Sequence, residues 1–311
     1  MIQRMCAYAD YHFTAKKMNV DTDSLSVRGL PVFLVQTESI SRELRNKSGP
    51  ELQKIWKCND QIAALNIERL QRMDLRSNLT PAVLAYEGMI YMSRAIDLVK
   101  KYGAVAVTPE YRLALKAPYP AALEDCSAAL LYLKDNAASL GCNRNKLMVG
   151  GESAGGGLTA ALCIYAQDRG EINIAFQMPL YPMIDNQDTD SSRDNHGISW
   201  NTKQNHAAWK LYLRNITGEI PAYAAPARET NYCNLPPAYT FVGNREAFYC
   251  ETLAYIQRLQ EAGVAARVDV YPTGFHAFDM LLPFRSISKR AIMAFERHYL
   301  YAAEHYTAAQ E

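Results

Sequence analysis

Residues 146–167 read KLMVGGESAGGGLTAALCIYAQ, an apolar run that passes through a glycine-rich turn into a run of small, helix-forming residues. Few local patterns constrain a fold as tightly, because a strand must stop, the chain must turn sharply and a helix must begin. At the centre, Gly151-Glu-Ser153-Ala-Gly155 is a G-x-S-x-G motif. In a strand-to-helix turn such a serine is held in a strained backbone conformation with its hydroxyl above the sheet, and glycines are needed where a Cβ would clash. The helix that follows aims its N-terminal dipole and free N–H groups at the same spot. The five letters alone recur by chance; the strand before and the helix after give them weight. Ser153 is the candidate nucleophile.

A serine hydroxyl needs a base to take its proton. When a Ser nucleophile sits on such a turn, the base is expected after the last strand and an acid after the strand before it. The chain has six histidines. His276 alone follows a strand-like run, in Gly274-Phe-His276 just past ARVDVYP (266–272), whereas His12, His196, His206, His298 and His305 read as surface or capping residues. The preceding strand, AYTFVG (238–243), leads into Asn244-Arg-Glu246, so Glu246 is the candidate acid. Glu251 is the alternative, on the helix expected next. Acyl transfer also needs donors aimed at the developing oxyanion. The backbone N–H of Ala154 is one, and the loop Glu87-Gly88-Met89 offers Gly88 as the second.

The remaining pattern alternates strand and helix. PAVLAY (81–86), AVAVTPEY (104–111) and AFQMPLYP (175–182) read as strands. SRAIDLVKKYG (93–103), residues 120–137, CETLAYIQRLQEAG (250–263) and residues 286–306 read as helices. Repeated strand–helix–strand units with apolar strands predict a mostly parallel sheet covered by helices on both faces. Residues 36–76 read instead as helical, with a capping box at Ser48-Gly-Pro-Glu51 and an apolar stripe through Ile62, Leu65, Leu70 and Met73.

Formal net charge is +1, so no global field marks a nucleic-acid or membrane-surface protein. The seven cysteines form no C-x-x-C pair and no metal-ligand spacing, and are expected as reduced core thiols. The N-terminus lacks an apolar signal core, and no run approaches the roughly 20 apolar residues of a membrane span. The sequence therefore predicts a cytoplasmic protein with no cofactor and no metal.

Several blocks resemble the hormone-sensitive-lipase family of esterases, over about residues 88–306. Glu110-Tyr-Arg-Leu-Ala114 is similar to that family's D-Y-R-L-A, and Pro118-Tyr-Pro-Ala-Ala-Leu-Glu-Asp125 to its P-F-P-A-A-L-E-D. GESAGGG (151–157), LYPMID (180–185), AAPAR (224–228), LPPAYTFVG (235–243) and YPTGFHAFD (271–279) follow in the family's order. The resemblance implies an α/β-hydrolase fold and a Ser153, Glu246 and His276 triad acting on small-molecule esters. Two departures matter. The family usually has Asp where Glu246 stands, and it has H-G-G-G where this chain reads Ala85-Tyr-Glu-Gly-Met-Ile-Tyr91.

Residues 14–91 resemble another family, that of the peroxide-stress protein YaaA. Thr14-Ala-Lys16-Lys17-Met18 is similar to its opening, and Leu79-Thr-Pro-Ala-Val-Leu-Ala-Tyr-Glu-Gly88 to a later segment. The chain thus reads as a chimera. A mainly helical N-terminal segment (1–84) precedes an α/β-hydrolase domain (85–311) truncated at its N-terminal strands, with PAVLAYEG a substitute third strand. The expected function is hydrolysis of short-acyl esters, weakened by the missing H-G-G-G loop. The alternatives are a non-catalytic hydrolase-like fusion, or a stress-response binding protein acting through residues 14–91. The segment from Trp200 to Trp209 is a candidate pocket wall, with simple helix packing the competing explanation.

Overall fold

The short apolar runs become strands of one sheet. The computed structural model describes residues 22–27, 30–35, 81–84, 93–109 and 111–310. Its strands are β1 (Thr22–Val27), β2 (Leu30–Val35), β3 (Pro81–Leu84), β4 (Val105–Pro109), β5 (Met148–Glu152), β6 (Phe176–Leu180), β7 (Ala238–Gly243) and β8 (Ala266–Tyr271). They lie in the order β1-β2-β4-β3-β5-β6-β7-β8. β2 runs antiparallel to both of its neighbours, and every other adjacent pair is parallel. The helices are α1 (Ser93–Tyr102), α2 (Ala121–Asp135), α3 (Ala154–Arg169), α4 (Thr202–Tyr212), α5 (Tyr249–Glu261), α6 (Phe278–Leu281) and α7 (Ser286–His305).

Period-two alternation along the strands feeds two cores. Val105, Val107, Leu147 and Val149 face one core, with α2, α3 and α5 over it. Ala104, Ala106 and Met148 face the other, under α1 and α7. A strand buried on both faces needs mostly apolar side chains, which is why the central strands read as near-continuous apolar runs. The edge strand β8 is only partly buried. α2 shows the helical counterpart: Ala122, Cys126, Ala129, Leu130 and Leu133 are buried at a spacing of three to four residues. Truncating Leu130, fully buried, to alanine should lower unfolding stability by about 3 kcal/mol. A shift in urea midpoint with unchanged slope would register this; no shift would mean that the site collapses around the void.

Two strands lie where the sequence reading expects none. In place of a sheet truncated at its N-terminal strands, β1 and β2 pair with register Val27 to Leu30, and β2 pairs on along β4. Both are six residues long, the length of β7 and β8, and backbone pairing joins them to the sheet. The substitute strand expected at 81–86 is present as β3, between β4 and β5. The sheet therefore crosses the boundary drawn after residue 84. The helical reading of 36–76, Lys16, Lys17 and the loop carrying Gly88 lie outside the described residues. No helix among the described residues is long and apolar enough to cross a membrane.

Candidate active site

The site forms at the C-terminal ends of β5, β7 and β8. Ser153 stands between β5 and α3 with φ 56° and ψ −114°. A non-glycine residue at positive φ costs about 1–3 kcal/mol and persists only where its surroundings over-determine it. Here the Ser153 N–H donates to Leu180 O, and Ser153 O accepts from Met183 N and Gly157 N, each at 3.0 Å. The turn is thereby fastened to the loop after β6. That approach explains the glycines beyond the serine. A Cβ on Gly156 would stand 2.9 Å from Leu180 O, and one on Gly157 would collide with Met183 O.

His276 follows β8, and Glu246 follows β7. Their loops lie against each other: Asn244 N donates to Tyr271 O at 2.9 Å and Arg245 N to Thr273 O at 3.1 Å. Gly243 and Gly274 permit this, because a Cβ on Gly243 would meet Thr273 Cγ2 at 3.0 Å and one on Gly274 would meet Arg245 at 3.2 Å. The result is a continuous chain. His276 Nε2 is 2.8 Å from Ser153 Oγ, and His276 Nδ1 is 2.5 Å from Glu246 Oε2. The other Glu246 oxygen accepts from Gly243 N at 2.7 Å. Glu246 and His276 are 1% and 6% exposed. Such an arrangement can move a proton from the hydroxyl to the imidazole while the carboxylate steadies the resulting cation.

Glu251, the alternative acid, is elsewhere. Its Oε1 accepts from Ile184 N at 2.7 Å and from Asp185 N at 3.2 Å, and burial pushes its carboxyl well above the usual range. It braces the loop after β6. Ala154 begins α3, so its amide is one of the first-turn N–H groups that an α-helix leaves without an internal partner. The residue between Trp200 and Trp209 that reaches the site is Trp200, whose ring lies 6.2 Å from that of His276. Trp209 packs instead against Met183, Ala225, Ala247 and Phe248. Tyr181 and Phe248 close on the imidazole edge-to-face at 5.1 and 5.0 Å.

The sequence reading missed a buried charge cluster behind the serine. Arg94 Nε donates to Glu152 Oε1 at 2.6 Å, and its Nη2 to Asp279 Oδ2 at 2.5 Å. The one available signal was local: Glu152 is a carboxylate in an otherwise apolar strand. Burial pushes Glu152 up to about 7, against the lowering influence of Arg94 and with a further push from Asp279. The groups facing it are Arg94 from α1, Asp279 from α6 and Tyr181 from the loop after β6. An acid whose folded pKa exceeds its unfolded value binds its proton more tightly when folded. Its stabilising contribution is complete below about 4.5 and lost as pH rises through about 7. Glu152→Gln should therefore flatten the fall in melting temperature between pH 5 and pH 8. An unchanged fall would reassign it to another group.

Comparison with known proteins adds two matches. Residues 92–280 match the family model described as alpha/beta hydrolase fold, and residues 13–103 match that of the peroxide stress protein YaaA. Esterase LipI of Mycobacterium tuberculosis is 33% identical over 181 residues, which is 56% of this chain and 56% of LipI. A UPF0246 protein of Pediococcus pentosaceus is 47% identical over 85 residues, 27% of this chain and 34% of that protein. The chain thus spans between a third and rather more than half of these relatives' lengths. Among solved structures, a bacterial heroin esterase aligns over 95% of this chain and 90% of its own, with TM-score 0.76 and 24% identity. Esterase LipW from Mycobacterium marinum aligns over 98% and 87%, with TM-score 0.75 and 24% identity. At that identity the two structures speak to the fold alone.

Proposed function

The chain belongs to the alpha/beta hydrolase fold family, and on that premise we propose that it is a serine carboxylic-ester hydrolase acting on short-acyl esters. Ser153 Oγ attacks the ester carbonyl while His276 Nε2 takes its proton. Glu246 holds the imidazole by Nδ1 and stabilises its cation. The tetrahedral oxyanion is received by the Ala154 N–H, with Gly88 as the second donor. His276 returns the proton to the leaving alcohol, and a water activated by the same imidazole releases the acid from Ser153. The rings of Trp200 and Phe248 beside His276 offer apolar walls to a small acyl or alcohol group. The sequence units behind this reading are 1–84, resembling YaaA, and 85–311, the hydrolase domain.

The observation that carries the reading is the unbroken hydrogen-bonded chain from Ser153 through His276 to Glu246, three groups delivered by three separate loops. Its test is labelling by a fluorophosphonate. Wild type should take up one equivalent at Ser153, and His276→Ala should label far more slowly. An unlabelled wild type would sink the proposal. One feature favours a second reading, a hydrolase scaffold without turnover: the single Gly88 stands where the resembled family has three glycines. Losing one oxyanion donor costs about 10²–10³ in kcat. A labelled but non-hydrolysing wild type would favour that reading, because labelling needs only an activated serine.

A further inference from the structure

Arg94, Glu152 and Asp279 are 8%, 7% and 1% exposed, and nothing in the proposed reaction uses them. Their places in the chain are informative. Glu152 ends β5 and immediately precedes Ser153. Asp279 lies three residues after His276, on α6. Arg94 comes from α1, within the stretch common to both matched segments. One guanidinium therefore holds the residue next to the proposed nucleophile and a residue three positions past the proposed base.

The geometry suits that task. Nε and Nη2 are neighbouring donors on one rigid fork, so the two carboxylates must sit side by side. The guanidinium is itself fixed from behind, with its carbon 4.4 Å from the ring centre of Phe295 on α7. Tyr181 lies beside the same three groups. Its hydroxyl meets Met280 Sδ at 3.4 Å, and its ring packs edge-to-face on His276. Between β5 and α6 there is no direct backbone pairing, since β6 and β7 lie between β5 and β8 in the sheet. A side-chain bridge is the shorter connection between the two loops.

We propose that Arg94 is a positioning residue: through Glu152 and Asp279 it holds the serine turn and the histidine loop at the separation that keeps Ser153 Oγ within reach of His276 Nε2. This rests on the hydrolase reading above. A guanidinium that only filled the core would affect how much protein folds. A guanidinium that sets the Ser–His distance affects the chemistry of each folded molecule, because a displacement of about 1 Å costs up to about 10² in rate.

The test compares wild type, Arg94→Lys, Arg94→Met and Asp279→Asn with p-nitrophenyl acetate, normalising each to the serine that a fluorophosphonate titrates. Arg94→Met should lower kcat per reactive serine by at least about tenfold with KM within about twofold. Arg94→Lys should fall between, since an ammonium cannot hold two carboxylates in one plane. Unchanged kcat per reactive serine, with only a lower melting temperature, would overturn the clamp and leave the hydrolase reading standing. Should Arg94→Met not fold, the lysine and asparagine variants carry the same comparison. A wild type without turnover would count against the function instead. The clamp would then be judged by the Nδ1–H resonance of His276, expected to shift or broaden in Arg94→Lys and Asp279→Asn; an unperturbed resonance would reject it.

Discussion

Replacing Ser153 by alanine should lower kcat/KM for p-nitrophenyl butyrate by about 10⁴-fold or more, to the rate of the uncatalysed reaction plus what oxyanion donors supply. The loss should be chemical, not structural. The Ser153 side chain makes no capping hydrogen bond to α3 although it occupies the cap position. Alanine meets the same backbone restriction at φ 56° as serine does. Among the described residues the hydroxyl bonds to His276 Nε2. Ser153→Ala should therefore melt within a degree or two of wild type, by the arithmetic that links small free-energy changes to melting temperature. Hydrolysis by Ser153→Ala at the wild-type rate, with both above background, would place the nucleophile elsewhere.

Glu246→Gln should cost about as much, on the order of 10⁴ in kcat, through the histidine tautomer. Gly243 N donates to Glu246 Oε1. A glutamine here would keep its amide oxygen on that donor, which turns its NH₂ toward His276 Nδ1. A donor facing Nδ1 demands a lone pair there, so the imidazole proton moves to Nε2 and points at Ser153. The base is then blocked although every atom is nearly in place. Because the substitution also removes a buried charge without changing shape, folding should be little affected. A kcat within tenfold of wild type would mean that Glu246 does not fix the imidazole. Glu246→Asp sharpens the point, because its shorter side chain would have to span the same gap from Gly243 N to His276 Nδ1.

Much of this site was legible because the informative patterns are local. The strand, turn and helix around Ser153 span about twenty residues, and each part has its own composition: alternating burial, small residues, then helical spacing. The same holds for Ala238–Gly243 and Ala266–Tyr271, whose apolar runs put Glu246 and His276 just past strand ends. The choice between Glu246 and Glu251 was not local. Both are buried, five residues apart in one loop-and-helix segment. Which of them meets His276 depends on how the loop after β7 lies against the loop after β8, and on Glu251 being drawn to the amides of Ile184 and Asp185.

The sequence by itself determined the strand-to-helix turn at Ser153, the placing of Glu246 and His276 just past later strands, and a mostly parallel sheet buried on both faces. These follow from steric and hydrophobic rules that act over a few residues. Only the tertiary structure decided what joins residues distant in the chain. It set β1 and β2 along the edge of the hydrolase sheet through β2 and β4, because backbone pairing needs no side-chain signature. It also gathered Arg94 to Glu152 and Asp279 across 58 and 185 positions of sequence. A buried charge chooses its partner by where the fold delivers it, and no spacing along the chain records that.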